Sequence, residues 1–289
     1  MVTVFHRTAT IQEHQVFYRE AGPVDAPAIV LLHGYPASSY MFRNLIPKLA
    51  DSYHVIAPDL LGFGLSDAPA VAEFPYTFDA LADVVHGLLE QLDITQYAIY
   101  VQDYGAPTGW RLALRDPDAV TAIVTQSGNG YDEGFVEEFW APIWEYNRDK
   151  TAENAAKLNP SDPVEAVKWQ YVTGVDDSEV VDPEAWLHDA ALLARPGNDE
   201  IQLAIIGDYA SNPPMYAALH DLLRERQLPV LAVWGKGDPI FGPAGAEGFA
   251  RDTELAEIHL LDGGHFLLES ALDEVAGLML DFLTRTIGR

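Results

Sequence analysis

The segment 97–105 constrains the fold more than any other part of the chain. Residues 97–101 are all apolar or aromatic, as in a strand that is buried on both faces of a parallel sheet. The chain then reaches Asp103, a glycine follows two residues later, and apolar residues at helical spacing continue to Leu114. A strand, a sharp turn and a helix are the context of a nucleophile elbow, which exposes one side chain above the sheet. Asp103 occupies that position, although an aspartate there can also act only as a helix cap.

Seven further segments have strand patterns, and helical patterns separate several of them. Strands are predicted near residues 3–9, 16–20, 29–32, 54–58, 120–125, 230–234 and 256–261. Helices are predicted from Ser38 or Ser39 to Leu49, from Phe78 to Leu89, and from about Phe266 to Thr286. This alternation favours an α/β fold with a mostly parallel, eight-stranded sheet and helices on both of its faces.

A segment without strand patterns separates the sixth and seventh of the eight predicted strands. Between Gly130 and about Arg226 the sequence is rich in tryptophan and tyrosine, and prolines divide it into short helical stretches. We interpret this segment as a helical cap that is inserted into the α/β domain. The expected division is a core of residues 1–129 and 227–289 with a cap of residues 130–226.

Charge and composition exclude several classes of function. The chain has 17 Lys and Arg residues against 44 Asp and Glu residues, a formal net charge of -27, which disfavours nucleic acid and anionic membranes as partners. The acidic residues are spread along the chain, as in a solvated surface or in a protein adapted to high salt. The absence of cysteine excludes disulfides and thiolate chemistry.

No segment of the sequence indicates a targeting signal, a membrane span or a cofactor site. No apolar run is long enough to cross a bilayer, and the amino terminus lacks a signal-peptide pattern, so a cytoplasmic protein is expected. The histidines form no cluster with metal-ligand spacing, so we expect neither a metal nor another cofactor. The last helix can be buried in a monomer or shared between two copies, which leaves a homodimer as an alternative.

Three candidate catalytic residues follow the ends of different predicted strands. They are Asp103, Asp238 and His265, in that order along the chain. Ligands of an open α/β sheet bind beyond the carboxyl ends of its strands, and parallel strands end at the same edge. We therefore expect these three side chains to converge on one rim of the sheet.

Five motifs carry a resemblance to a known family. They are Leu32-His33-Gly34-Tyr35-Pro36, Val55-Ile56-Ala57-Pro58-Asp59, Gly62-Phe63-Gly64-Leu65-Ser66-Asp67, Gln102-Asp103-Tyr104-Gly105 and Gly263-Gly264-His265-Phe266. With the order nucleophile, acid, histidine, they make the chain similar to the α/β-hydrolase superfamily, and within it to epoxide hydrolases and haloalkane dehalogenases. The resemblance implies an α/β-hydrolase fold over nearly the whole length, with a cap that matches loosely.

The resemblance also implies a set of catalytic roles. Asp103 is expected to be the nucleophile, His265 the base and Asp238 the carboxylate that orients the base. A carboxylate that attacks a saturated carbon leaves an alkyl ester on the enzyme, which water activated by His265 then hydrolyses. The backbone N–H groups of Tyr35 and Tyr104 are the expected oxyanion hole. The expected partners are a small, apolar electrophile and water.

The leaving group decides between two activities. Opening an epoxide needs an acid that is protonated at neutral pH, and the segment around Tyr209 resembles the one that carries such a tyrosine in epoxide hydrolases. Haloalkane dehalogenases typically have Asn and Trp where this chain has Tyr35 and Tyr104, which favours epoxide hydrolysis. Haloalkane dehalogenation is the alternative, and a non-catalytic, ligand-binding relative is a third interpretation. Three early-cap residues are expected at the substrate pocket: Trp140 and Trp144, as aromatic walls or as N–H donors, and Tyr146, which lies one helical turn after Ile143, the residue that aligns with a second ring-opening acid of epoxide hydrolases.

Overall fold

The sheet has the predicted number of strands and the predicted direction for most of them. The computed structural model describes residues 2–288. Its strands are β1 (Phe5–Ile11), β2 (His14–Ala21), β3 (Ala28–Leu32), β4 (His54–Pro58), β5 (Tyr97–Val101), β6 (Val120–Thr125), β7 (Val230–Gly235) and β8 (Ala256–Leu261). The order across the sheet is β1-β2-β4-β3-β5-β6-β7-β8, in which β2 is antiparallel to β1 and β4 and the other neighbours are parallel. The predicted eight-stranded, mostly parallel sheet is confirmed.

Twelve α-helices surround the sheet within residues 2–288. They are α1 (Ile46–Leu49), α2 (Phe78–Gln91), α3 (Gly105–Arg115), α4 (Glu137–Arg148), α5 (Ala152–Leu158), α6 (Pro163–Val172), α7 (Pro183–Leu193), α8 (Asn198–Ile206), α9 (Tyr216–Arg226), α10 (Ala244–Gly248), α11 (Leu267–Ser270) and α12 (Leu272–Thr286). Short 3-10 helices cover Ser39–Phe42, Asp132–Gly134, Ser178–Val180, Tyr209–Ser211, Pro213–Met215 and Phe249–Arg251.

Both faces of the sheet are covered by helices, as predicted. Successive side chains of a strand point to opposite faces, and β3 divides accordingly between two buried apolar clusters. Val30 and Leu32 pack in the cluster that contains the apolar sides of α2 and α3. Ile29 and Leu31 pack in the cluster that contains α1 and α12. A strand that is buried on both faces has to be apolar throughout, which explains the continuous apolar runs in the sequence.

Two of the predicted helices are interrupted. The helix expected from Ser38 or Ser39 to Leu49 is wrong as a single element, because a 3-10 helix (Ser39–Phe42) and α1 share that segment. Pro47, in the first turn of α1, has no N–H for a bond to the preceding turn, and its ring excludes a continuous helix there. The last helix is divided at Ala271, whose φ of -136° and ψ of 32° lie outside the helical region.

Residues 130–226, called the helical segment below, join β6 to β7 and contain no strand. They form α4 to α9, and their one β contact is a bridge between Phe135 and Phe241. Two of these helices begin at a proline that follows an aspartate cap. Asp162 accepts hydrogen bonds from the backbone N–H groups of the second and third residues of α6, and Asp182 accepts one from that of the second residue of α7. None of the helices within residues 2–288 combines the length and the apolar character that a membrane span needs.

The first residue of α3 lies directly against the end of β3. A Cβ atom on Gly105 would lie 2.1 Å from the carbonyl oxygen of Leu32, which is backbone in the middle of the sheet and has no room to move. Glycine at this position therefore allows the helix of the elbow to approach the sheet.

We expect Gly105→Ala to lower the free energy of unfolding by about 3 kcal/mol, because the added methyl group overpacks a rigid contact. Gly277→Ala in the exposed part of α12 is the control, since its Cβ would meet nothing within 4 Å. Alanine is the better helix former, so this control should gain up to about 1 kcal/mol. Urea unfolding measures both values, and equal midpoints for the two variants would contradict the contact.

Candidate active site

Asp103 lies at a sharp turn between β5 and α3. Its φ of 48° is in the left-handed region, which is strained for a residue with a side chain. The backbone N–H of Asp103 donates to the carbonyl of Ser127 at 3.3 Å, and the N–H of Ala106 donates to the carbonyl of Asp103 at 2.9 Å. The turn is therefore held on one side by the chain after β6 and on the other by α3. The side chain of Asp103 is buried, with 5% of the residue exposed.

The turn after β3 lies beside this elbow and supplies a donor to it. Leu32 and Val101 are partners in the parallel register, so the two turns leave the sheet next to each other. The backbone N–H of Tyr35 donates to Oδ1 of Asp103 at 2.7 Å. A Cβ on Gly34 would lie 2.4 Å from the same oxygen, so only glycine permits this approach. The backbone N–H of Tyr104 is a second donor to the Asp103 carboxylate.

His265 and Asp238 complete a line of three side chains at the carboxyl edge of the sheet. Nδ1 of His265 lies 2.9 Å from Oδ2 of Asp238, and Nε2 lies 4.0 Å from Oδ2 of Asp103. The other oxygen of Asp238 accepts the backbone N–H groups of Ile240 and Phe241, at 2.8 and 3.1 Å. All three predicted residues are buried. The ring of His265 lies between the two carboxylates, with Asp103 on its Nε2 side and Asp238 on its Nδ1 side.

Burial and charge act in opposite directions on these groups. Burial raises the pKa of Asp103 to about 6, although His265 and the backbone N–H groups of Tyr35 and Tyr104 lower it. Burial by itself lowers the pKa of His265, but the carboxylates of Asp238 and Asp103 outweigh it and raise that pKa above its ordinary value. At neutral pH the site therefore holds an ionised Asp103 beside a histidine that two carboxylates attract toward protonation.

Tyr209 lies in the same region, in the short 3-10 helix that follows α8. Two side chains hold this turn, because Asp208 accepts the backbone N–H of Phe78 at 2.9 Å and Asn147 accepts that of Ala210 at 3.1 Å. The ring of Tyr209 lies 6.1 Å from that of Tyr104 and is 1% exposed. Burial raises the pKa of Tyr209 well above 10, and nearby Tyr216 and Asp103 raise it further. No side-chain hydrogen bond among residues 2–288 involves its hydroxyl.

Aromatic rings from the helical segment surround Tyr209. Trp140 lies 4.3 Å and Trp144 lies 6.0 Å from its ring, measured between ring centroids. The indole N–H of Trp140 donates to the carbonyl of Ile240 at 2.9 Å, so it has no free donor for a halide. Trp140 is thus a wall of this region, not a donor. Tyr146 is not part of the group: its ring lies beside Gly207, and no ring contact among the described residues joins it to Tyr209.

Two further strand-end residues are structural supports. The ring of His33 bridges two loops, with Nδ1 at 3.0 Å from the carbonyl of Gly34 and Nε2 accepting the N–H of Leu60 at 3.0 Å. The carboxylate of Asp59 accepts the N–H groups of Ser39 and Leu65, both at 2.7 Å. Neither side chain has a hydrogen bond to Asp103, His265 or Asp238 among the described residues. Within residues 2–288 no group of three or more His, Asp or Glu side chains has an arrangement that could hold a metal ion.

Sequence reasoning missed the side chains of Gln102, Tyr35 and Tyr104. Gln102 is fully buried, and its amide Nε2 lies 2.7 Å from Nε2 of His265. The rings of Tyr35 and Tyr104 are 6.0 Å apart, and burial together with the nearby charge of Asp103 raises the pKa of both hydroxyls. The signal for Gln102 is in the sequence: a polar residue follows a continuous apolar run, where an unpaired amide would be costly.

Comparison with known proteins agrees with this architecture. A family model described as alpha/beta hydrolase fold matches residues 27–272, and the chain belongs to that family. The relatives include the uncharacterized hydrolase YNR064C of Saccharomyces cerevisiae, which is 42% identical over 96% of both chains. A haloalkane dehalogenase of Mycobacterium marinum is 31% identical over 80% of this chain and 75% of its own. The solved structure of epoxide hydrolase CorEH is similar with a TM-score of 0.79, at 23% identity over 98% of this chain and 99% of its own. The predicted relationship to the epoxide hydrolase and haloalkane dehalogenase branch is confirmed.

The raised pKa of Asp103 predicts that this carboxylate destabilises the fold. The folded protein holds the proton up to about pH 6, whereas the unfolded chain releases it near the ordinary value of 3.8, so stability is lost as the pH rises through this window. Asp103→Asn should therefore be more stable than the wild type by up to about 3 kcal/mol at pH 8, with no difference near pH 4.

Chemical denaturation between pH 4 and pH 8 measures this difference. Asp273→Asn is the control, because the side chain of Asp273 is 90% exposed and an exposed ion pair contributes less than about 1 kcal/mol. A pH-independent difference for Asp103→Asn would contradict the pKa shift.

Proposed function

We propose that this protein is an epoxide hydrolase that acts through an ester on Asp103, with the helical segment as the cap over its active site. The reaction adds water to an epoxide and releases a vicinal diol. Asp103 is the nucleophile, His265 the base and Asp238 the residue that orients the base. Tyr209 is the acid, and the backbone N–H groups of Tyr35 and Tyr104 form the oxyanion hole.

In the first step the ionised Asp103 attacks one carbon of the epoxide. A C–O bond forms between Asp103 and that carbon while the C–O bond of the ring breaks, and the oxygen that leaves takes the proton of Tyr209. The product of this step is a hydroxyalkyl ester of Asp103. The tight burial of the carboxylate supports this step, because a carboxylate with little water around it is a stronger base than an exposed one.

In the second step water hydrolyses the ester. Nε2 of His265 removes a proton from water, and the hydroxide attacks the carboxyl carbon of Asp103. The negative oxygen of the tetrahedral intermediate accepts hydrogen bonds from the N–H groups of Tyr35 and Tyr104. Collapse of the intermediate breaks its bond to the diol oxygen, and the proton of the added hydroxyl passes to that oxygen, which releases the diol and restores the carboxylate. The proton on His265 returns to the tyrosinate of Tyr209. Atoms and charge then balance for one epoxide and one water.

The observation that carries this proposal is the position of Tyr209. Tyr209 is buried with its ring beside that of Tyr104, its hydroxyl has no hydrogen-bond partner among residues 2–288, and burial raises its pKa well above 10, so it is protonated at neutral pH. An alkoxide leaving group needs such an acid, whereas a halide does not. The aromatic rings that surround it, Trp140 and Trp144, favour an apolar substrate.

Haloalkane dehalogenation is the second candidate. Relatives with that name support it, among them the Mycobacterium marinum protein at 31% identity. A halide needs N–H donors, and the N–H of Trp144 makes no hydrogen bond to a described residue. The indole N–H of Trp140 already donates to the Ile240 carbonyl, so only one of the two tryptophans has an N–H available for a halide. A non-catalytic binder is disfavoured by the intact set of Asp103, His265 and Asp238.

The two activities are separated by trapping the ester. We expect His265→Gln to retain the first step and to lose the second, so that an alkyl adduct accumulates on the peptide that contains Asp103. Panels of epoxides and of haloalkanes are incubated with this variant, and the peptide is weighed by mass spectrometry. The double variant with Asp103→Asn is the control and should carry no adduct. An adduct from haloalkanes alone, with free halide, would favour dehalogenation. No adduct from either panel would favour a non-catalytic protein that only binds a ligand.

Tyr209→Phe tests the acid. Loss of a positioned general acid lowers rates by about 100-fold or more, so the variant should lose that factor in kcat/KM for epoxides. Its unfolding midpoint should be unchanged, because the hydroxyl has no partner to lose. Tyr216→Phe is the control, since Tyr216 is also buried in the helical segment but the charged groups that act on it are Asp132 and Arg111, not Asp103. Equal epoxide kinetics for the two variants would exclude Tyr209 as the acid.

A further inference from the structure

The side chain of Gln102 connects the turn after β3 to the imidazole of His265. Its Oε1 lies 3.1 Å from the backbone nitrogen of Gly34, and its Nε2 lies 2.7 Å from Nε2 of His265. Gln102 and His265 are both fully buried, so neither contact is shared with bulk water. The backbone of Gln102 is held as well, because its N–H donates to the carbonyl of Leu32 at 3.0 Å.

The orientation of this amide follows from its partners. The backbone N–H of Gly34 can only donate a hydrogen bond, so the atom that faces it has to be the amide oxygen of Gln102. The NH2 group of Gln102 therefore faces His265. An amide NH2 group can only donate, so Nε2 of His265 has to accept.

This requirement sets the tautomer of the histidine. If Nε2 accepts from Gln102, the proton of the neutral ring is on Nδ1, where it is donated to Oδ2 of Asp238 at 2.9 Å. A protonated ring would place an N–H on Nε2 against the NH2 group of Gln102, with two donors facing each other. Gln102 therefore stabilises the neutral form of His265 and opposes the charged form.

We propose that Gln102 is a positioning residue that keeps His265 neutral, with the lone pair of Nε2 directed toward the ester of Asp103. The role rests on the proposed function, in which His265 has to be an unprotonated base when the ester forms. Asp103 and Asp238 are the charged groups that face His265, and both attract a proton to it. Without an opposing donor, the free enzyme would hold His265 as an ion pair with Asp103. His265 would then already be protonated when the ester forms and could not act as the base.

Gln102 has to oppose the protonation of His265 only in the free enzyme, because the charge of Asp103 disappears in the first step. Once Asp103 is esterified, its negative charge is gone and the attraction that favoured protonation of His265 weakens. Water then replaces the amide of Gln102 as the donor to Nε2 and gives up its proton there. Gln102 keeps its bond to Gly34, the residue before the proposed oxyanion donor Tyr35, so that donor stays in place during this step.

NMR of protein with labelled histidine nitrogens tests this without any substrate. In the neutral wild-type protein we expect Nε2 of His265 to have the chemical shift of an unprotonated ring nitrogen and Nδ1 that of a protonated one. His265→Gln identifies the signals. A neutral ring with its proton on Nε2 would overturn the proposal, and this measurement needs no variant of Gln102 that might fail to fold.

Gln102→Met tests the effect on protonation. Methionine has a similar length and no donor, so the titration midpoint of His265 should rise by about one pH unit, the equivalent of one lost hydrogen bond. Gln126→Met is the matched control, because Gln126 is also fully buried but donates to the backbone carbonyl of His265, at 2.7 Å, and not to its ring. The control should leave the midpoint unchanged, and equal midpoints for the two variants would overturn the proposal.

Quenched-flow mass spectrometry gives the kinetic consequence. In Gln102→Met the pH profile for formation of the Asp103 adduct, which is the step that starts from the free enzyme, should move upward by about one unit, whereas the Gln126→Met profile should coincide with that of the wild type. If no substrate forms an adduct, the proposed function fails while the titration still decides the role of Gln102. If adducts form and are hydrolysed with identical profiles in both variants, the role of Gln102 fails while the proposed function stands.

Discussion

The contact between the turn after β3 and the turn after β5 is the constraint on which the site depends. Leu32 and Val101 are register partners in the sheet, so the two turns are adjacent by construction. The missing side chain of Gly34 lets the N–H of Tyr35 reach Oδ1 of Asp103 at 2.7 Å. A buried carboxylate without donors would be very unfavourable, and two backbone N–H groups make it tolerable. In the proposed reaction the same two groups bind the negative oxygen that develops on the carboxyl carbon of Asp103.

Stability and reactivity oppose each other at this contact. Asp103 has a left-handed backbone conformation and a carboxylate that burial makes less acidic, and each feature destabilises the folded state. The surrounding structure compensates with dense packing: α3 lies against the end of β3, and His33 and Asp59 tie the neighbouring loops together. A poorly solvated carboxylate in a rigid frame is what displacement chemistry at saturated carbon needs.

Hydrogen bonds join the helical segment to the rest of the protein at two places, one near Tyr209 and one near Asp238. Asp208 accepts the first backbone N–H of α2, which places the neighbouring Tyr209 beside Tyr104. On the other side, the indole of Trp140 donates to the carbonyl of Ile240, two residues after Asp238. The segment therefore contacts both the start of α2 and the loop that carries Asp238. Hydrogen bonds, and not only apolar packing, therefore hold Trp140 and the turn that carries Tyr209.

The sequence by itself determined the sheet, because a strand buried on two faces must be apolar and the chain shows eight such runs or alternations. It also determined that Asp103, Asp238 and His265 follow strands whose carboxyl ends share one edge. It did not predict the break at Pro47 within the expected helix, since apolar spacing continues across it. Only the tertiary structure decided that the Gln102 amide donates to His265 and that the Trp140 N–H donates to Ile240. It alone also decided that the ring of Tyr146 makes no contact with that of Tyr209. Those outcomes depend on which partner each donor meets, and the partners come from strands and loops that are distant in the chain.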